Sequence, residues 1–334
     1  MKQELITQSG TDSAPLFRIT KSKSVPIPAF ISQEGKNAML KFVDFFIGEI
    51  RNTHTREAYY RGSSYFLNWC FEKGVDDIHT IKPFMVGIYI EDFAERSPPA
   101  TVKLHLSGMR RLFNFLVINQ VIENNPAQSV KPPKLVRRKG TTPILSNEEM
   151  KRLFDSFDPS KLADLRDRAI IGIMAYSFTR VSAIAKMRVK DYYIQGNSQY
   201  LILTEKGSVE TKKIAHHKVV EYLDEFLTHA GIASERDTPL FRTLYSKSGK
   251  GLTENAMYRS DMWEMIKRRA TNAGLPPEIT CHSFRGTGIT NYLRNGGDIE
   301  ICAEMANHAS IRTTQFYDHR GDLVDKGEVE KVRF

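Results

Sequence analysis

The chain has 334 residues, 41% of them apolar and 26% charged, which is material for two ordinary cores and too apolar for a disordered chain. Forty-eight basic residues against thirty-nine acidic ones leave a net charge of +9, a balance that favours a polyanionic partner whose phosphates release counterions on binding. The three cysteines, Cys70, Cys281 and Cys302, are odd in number and widely spaced, which excludes a disulfide framework and a CxxC zinc site.

Residues 1–30 are polar and carry Pro15, Pro26 and Pro28, so a loose arm is expected there. The opening residues lack the apolar stretch of a signal peptide, and the apolar run 169–176 is too short to cross a bilayer. The expectation is a cytoplasmic protein with no membrane partner. Met39, Phe42, Val43, Phe46 and Ile47 recur at three- and four-residue steps, which predicts a helix with one apolar face. Tyr59, Phe66, Leu67, Cys70 and Phe71 repeat the pattern over residues 55–73, and Gly74 stops it. Two more helices are predicted over 84–94 and 101–118, the second after the start signal Ser97-Pro98-Pro99. Residues 31–128 therefore read as a compact all-α domain.

Residues 129–143 hold three prolines, five basic residues and no acid. Pro132 and Pro133 stiffen this linker, and Lys131, Lys134, Arg137, Arg138 and Lys139 suit it to a phosphate backbone. The second domain, 144–334, opens on Ser146 with Glu149 three residues later, a capping box for a helix over 147–157. A helix over 163–177 follows. Short strands over 200–204 and 211–215 flank a turn containing Glu205-Lys206-Gly207-Ser208, the pattern of a hairpin. Helices are predicted over 217–230, 253–273, 282–295, 298–305 and 310–318. His216-His217 reads as a helix start, since no third metal ligand accompanies the pair. The fold class is mainly α, with a helical N-terminal domain and an α+β second domain built on a small antiparallel sheet.

Phosphodiester exchange needs cations around a five-coordinate phosphorus, a nucleophile in line with the leaving oxygen, and a proton donor for that oxygen. Arginine is the natural clamp, because its planar fork matches phosphate oxygens and keeps its charge. His282 and Arg285 lie three residues apart and share a helical face, with Phe284, Gly288, Ile289, Tyr292 and Leu293 on the packing side. His308 follows Arg285 after 23 residues and Tyr317 follows His308 after nine. Arg180 sits upstream in a polar break after the run 169–176.

This ordered set of Arg180, Lys206 in the hairpin, His282-x-x-Arg285, His308 and Tyr317 resembles the tyrosine-recombinase (phage-integrase) family over about residues 30–334. The resemblance implies a helical, SAM-like core-binding domain and a catalytic domain closing as a C-shaped clamp on double-stranded DNA. It implies that Arg180 and Arg285 hold the non-bridging oxygens and that Tyr317 attacks to form a 3′-phosphotyrosine. Lys206 would protonate the departing 5′ oxygen, His282 would take part in proton transfer with the tyrosine, and His308 would hydrogen-bond the phosphate. No nucleotide, metal or other cofactor is implied. Four protomers would act on two sites, with the apolar tail residues Val329, Val332 and Phe334 as candidates for docking on a neighbour and sister recombinases as further candidate partners. Lys212 and Lys213 lie close enough to Lys206 to compete for its role. Two departures stand out: Ala183 occupies the place where many family members carry an acid that supports the arginine and histidine, and Asn307 stands where the family often has glycine. A binding-only regulator and a relaxing topoisomerase on the same scaffold remain as alternative readings.

Overall fold

A computed structural model of the chain describes residues 6–7, 14–134, 142–205, 209–245 and 251–318. The chain divides into two compact units, Met1–Val136 and Arg137–Phe334.

The first unit begins with an antiparallel sheet of β1 (Ile6–Thr7), β2 (Leu16–Thr20) and β3 (Lys23–Pro26). Helices α1 (Ala29–Gln33), α2 (Lys36–Asp44), α3 (Thr53–Glu72), α4 (Pro83–Glu95) and α5 (Pro99–Ile118) follow, with a π-helical turn, Phe45–Glu49, after α2. The expected loose arm over 1–30 is thereby corrected for its second half. Phe17 and Ile19 alternate inward along β2 and are 1% and 0% exposed, and Val25 and Ile27 join the same core. Burying side chains of this kind stabilises by about 1.5–3 kcal/mol each. The prolines sit at or beyond the strand ends and leave the strands unbroken: Pro15 precedes β2 and accepts from Ile27 N–H at 2.7 Å, Pro26 closes β3, and Pro28 precedes α1. The unit is therefore not purely helical. Its sheet is tied to α3 by Arg56, which donates to the carbonyls of Ile19 and Ile50. Asn52 caps α3 by accepting from Thr55 N–H. Helices α3 and α5 cross so closely that a Cβ on Gly62 would stand 2.8 Å from His105 Cα.

The second unit opens with α6 (Asn147–Asp155), whose capping box of Ser146 and Glu149 forms as expected. Next come α7 (Leu162–Tyr176), α8 (Val181–Ile184), β4 (Tyr192–Gln195), β5 (Ser198–Thr204), β6 (Glu210–Ile214), α9 (His217–Ala230), β7 (Arg242–Leu244) and β8 (Leu252–Ala256). Helices α10 (Arg259–Asn272), α11 (Cys281–Arg294), α12 (Ile299–Met305) and α13 (Ile311–Gln315) complete it. Strands β4, β5 and β6 form an antiparallel sheet in that order, one strand more than the sequence suggested. The helix expected over 253–273 starts only at Arg259, because residues 252–256 pair with β7 instead; the hydroxyls of Thr243 and Thr253 meet across that pair at 2.6 Å.

The core is organised around α7. Ile170, Ile171, Ile173 and Met174 are all 0% exposed, as a helix packed on both α9 and α11 requires. Helix α11 lies so near α7 that a Cβ on Gly288 would fall 1.8 Å from the Ala175 carbonyl oxygen. A buried carboxylate in this core is paired: Asp167, 0% exposed, receives Arg166 and Arg269. Among the described residues no helix is long and apolar enough to cross a membrane.

Candidate active site

Helix α7 ends at Tyr176, and the chain turns through Phe178, whose φ of 51° is left-handed. That costly conformation for a bulky residue aims the Phe178 carbonyl at Arg285. Arg285 lies on the first turns of α11 and is 2% exposed. Its Nη1 donates to the Phe178 carbonyl, and its Nη2 donates to the Ala306 carbonyl at 2.6 Å and to His308 Nε2 at 2.6 Å. Burial, and then the neighbouring Arg180, pull its pKa down to about 10, which leaves it cationic at neutral pH.

An arginine only donates, so His308 must present Nε2 as an acceptor and carry its proton on Nδ1, which lies 2.8 Å from the Thr314 hydroxyl. Desolvation first, then Arg285, Arg180 and Lys213, lower the His308 pKa to about 4. The imidazole is therefore neutral under ordinary conditions. Asn307 adopts a left-handed φ of 48°, which explains its place where a glycine was expected: asparagine is among the residues that best tolerate that region.

Tyr317 does not extend α13, which stops at Gln315, short of the expected 310–318. Its N–H donates to the Thr314 carbonyl at 2.9 Å, and its own carbonyl accepts from the Thr290 hydroxyl on α11 at 2.8 Å. The ring lies parallel to that of His308, with centroids 6.0 Å apart and planes 11° apart. Its edge rests on Gly286, where an added Cβ would meet it at 3.1 Å. The residue is half-buried against a small cluster of Phe178, Ile289, Leu293, Cys302 and Ala306.

Arg180 follows the same turn as Phe178, one residue before α8. Its Nη1 donates to Glu205 Oε2 at 3.0 Å, and it makes only long approaches, 3.4 and 3.5 Å, to the Asn307 carbonyl. His282 is exposed at the start of α11; desolvation of its ring, then Arg285 and Arg180, lower its pKa below the usual histidine value. The structure thus brings Arg180, His282, Arg285, His308 and Tyr317 into one neighbourhood. Lys206 lies outside the described residues, as do Arg137, Arg138, Lys139 and the tail from 319 onward. Lys131 and Lys134 are exposed at the end of the first unit.

Of the two lysines near Lys206, Lys212 lies on the sheet and Lys213 stands within the charged group of Glu205, Arg285 and Arg180. Lys212 Nζ sits over the Tyr200 and Tyr193 rings, at 3.9 and 5.5 Å from their centroids. Lys213 is half-buried, donates to the Ser177 carbonyl at 2.9 Å, and is lowered to about 8 by burial. His216 caps α9 by accepting from Lys218 N–H at 3.2 Å and stacks on Tyr176. Glu205, legible in the sequence only as a residue of the hairpin turn, contributes a buried carboxylate to the group.

A profile of the phage integrase family matches residues 143–322, and the chain belongs to that family. It is 26% identical over 284 residues to a tyrosine recombinase XerD from Listeria monocytogenes serotype 4b (strain F2365), covering 83% of this chain and 92% of that one. To a tyrosine recombinase XerD from Oceanobacillus iheyensis it is 29% identical over 224 residues, covering 66% and 71%. Among solved structures it shares its fold with lambda integrase residues 75–356, described as a dimer bound to a COC′ core site. There the TM-score is 0.64 at 16% identity, over 87% of this chain and 98% of that one. The XerH site-specific recombinase in a pre-cleavage complex with its difH substrate matches with a TM-score of 0.61 at 19% identity, over 83% and 78%.

Proposed function

We propose that this chain is a site-specific DNA recombinase that cuts and rejoins double-stranded DNA through a 3′-phosphotyrosine at Tyr317. The observation that carries the proposal is the immobilised Arg285 guanidinium beside a neutral His308 and the Tyr317 ring. Arg180 and Arg285 hold the two non-bridging oxygens and take up the charge that develops on them. The Tyr317 oxygen attacks phosphorus, the bond to the 5′ oxygen breaks, and a lysine, Lys206 in this reading, gives that oxygen a proton. His282 accepts or returns the tyrosine proton. His308, tied to Arg285, keeps that guanidinium in place and takes part in holding the phosphate. The phosphotyrosine retains the energy of the broken bond, so attack by a 5′ hydroxyl on the tyrosyl phosphate reseals the strand and frees Tyr317.

In this reading residues 31–128 bind the core site and residues 129–143 follow the phosphate backbone through Lys131, Lys134, Arg137, Arg138 and Lys139. Four protomers assemble on two sites, and the protein works on DNA in the cytoplasm. The finding that XerD proteins match most of this chain supports the class of reaction.

The test uses a nicked duplex carrying a site selected for binding from random-sequence DNA. The wild type is expected to form a covalent protein–DNA adduct and Tyr317→Phe none. Arg285→Ala should lower adduct formation by about 10²–10³-fold, as loss of a transition-state donor does. Equal adduct from wild type and Tyr317→Phe would overturn the assignment.

A further inference from the structure

The two arginines of the site are held very differently. Arg285 is buried and gives three of its five N–H donors to two carbonyls and an imidazole. The Arg180 side chain is 31% exposed, and among the described residues its one short contact is Glu205 Oε2 at 3.0 Å. The Glu205 side chain is 1% exposed, and its second oxygen, Oε1, is buried with no hydrogen-bond partner among the described residues. A buried carboxylate with an unpaired oxygen is costly unless a fixed cation compensates it, and Arg180 is the cation it touches. Lys213 and Arg285 also feel its charge. Glu205 is in turn fixed by the backbone: its N–H donates to the Val209 carbonyl at 2.8 Å, just beyond the paired Thr204 and Glu210. Position 183, the place where an acid was expected, is an alanine at 0% exposure in the apolar core and supplies no charge.

We propose that Glu205 is the positioning residue for Arg180, a carboxylate supplied from the end of β5 that fixes this guanidinium against a non-bridging phosphate oxygen. The proposal rests on the phosphate-clamping role given to Arg180 above. A guanidinium on a long, partly exposed stem has many rotamers, and a single charge-assisted hydrogen bond from a rigid strand end selects one. Removing the carboxylate frees the side chain while leaving its charge, so the loss falls on the chemical step more than on DNA affinity.

The experiment measures single-turnover adduct formation on the nicked duplex, with DNA saturating, for wild type, Glu205→Gln, Arg180→Ala and the double variant. Glu205→Gln keeps the shape and removes the charge. It is expected to slow adduct formation by about 10- to 100-fold, the scale of a misplaced catalytic group, with an unchanged dissociation constant for the duplex. In the double variant, Glu205→Gln should add no further slowing to Arg180→Ala, because its effect passes through Arg180. Should Glu205→Gln fail to fold, the same cycle with Glu205→Asp, which keeps the charge and lengthens the contact, is expected to show a smaller but equally non-additive slowing. Wild-type rates in the Glu205 variants, or slowing that multiplies with that of Arg180→Ala, would overturn the proposal. A Tyr317-dependent adduct that forms at wild-type rate in Arg180→Ala would instead overturn the role of Arg180 itself.

Discussion

A neutral His308 has a consequence that can be measured without DNA. Its pKa is lowered from 6.5 to about 4 in the folded protein, so between those values the unfolded chain binds the proton and the folded chain does not. Stability is then greatest above pH 6.5 and declines as the pH falls towards 4, by roughly 1–2 kcal/mol once solvent screening at a half-buried site is allowed for. His308→Gln, which keeps an acceptor for Arg285, is expected to flatten that decline in urea melts between pH 7 and 4. An unchanged acid limb would show that the imidazole is not held neutral. At this scale the sequence was informative about groups defined by type and spacing, such as His282, Arg285, His308 and Tyr317. It named Glu205 only as a turn residue and gave no sign of its meeting with Arg180, which spans 25 positions and depends on the pairing of β5 with β6. It was silent too about Phe178, because nothing in a phenylalanine announces a left-handed backbone.

Helices α7 and α11 form the frame on which the site is mounted, and Gly288 sets their spacing. A methyl group there would meet the Ala175 carbonyl oxygen at 1.8 Å, a clash only backbone movement relieves. Gly288→Ala is expected to destabilise the second unit by about 1–3 kcal/mol or more and, since α11 carries His282 and Arg285, to reduce adduct formation beyond what the lower stability explains. A wild-type melting temperature would show that the helices can separate freely. The long helices were legible because α3, α5, α7 and α9 carry sustained 3.6-residue patterns or apolar runs. Of the short strands, β5 and β6 were legible, expected over 200–204 and 211–215 and found at Ser198–Thr204 and Glu210–Ile214; β2, β3, β4, β7 and β8 were not. The alternation of Phe17 with Ile19 was masked by neighbouring prolines and polar residues, and 252–256 lies against a helix whose pattern runs on into it. Such strands are defined by their partners across a ladder more than by their own composition.

For the whole molecule, the excess charge of +9 is concentrated where the two units meet in sequence: the division between residues 136 and 137 falls within 129–143, with five basic residues and no acid. Replacing Lys131, Lys134, Arg137, Arg138 and Lys139 by alanine is expected to weaken binding to all duplexes alike. The salt slope of log K should become shallower by about 0.9 for each phosphate no longer neutralised, about 4.5 if every one of these side chains neutralises a phosphate. Titrations of a labelled duplex at several salt concentrations check this, and an unaltered slope would remove the linker from the interface. The two-unit organisation and the basic stretch were visible in the sequence because shifts of composition can be seen without knowing which residues touch. Arg285 has one further consequence. Its carbonyl partners come from the turn after α7 and from the end of α12, some 130 residues apart in the chain, and the tyrosine arrives later still. In the proposed reading, therefore, the setting of Arg285 and the approach of Tyr317 are complete only after the last helices have packed against α11, so a partly synthesised chain is expected to form no covalent adduct.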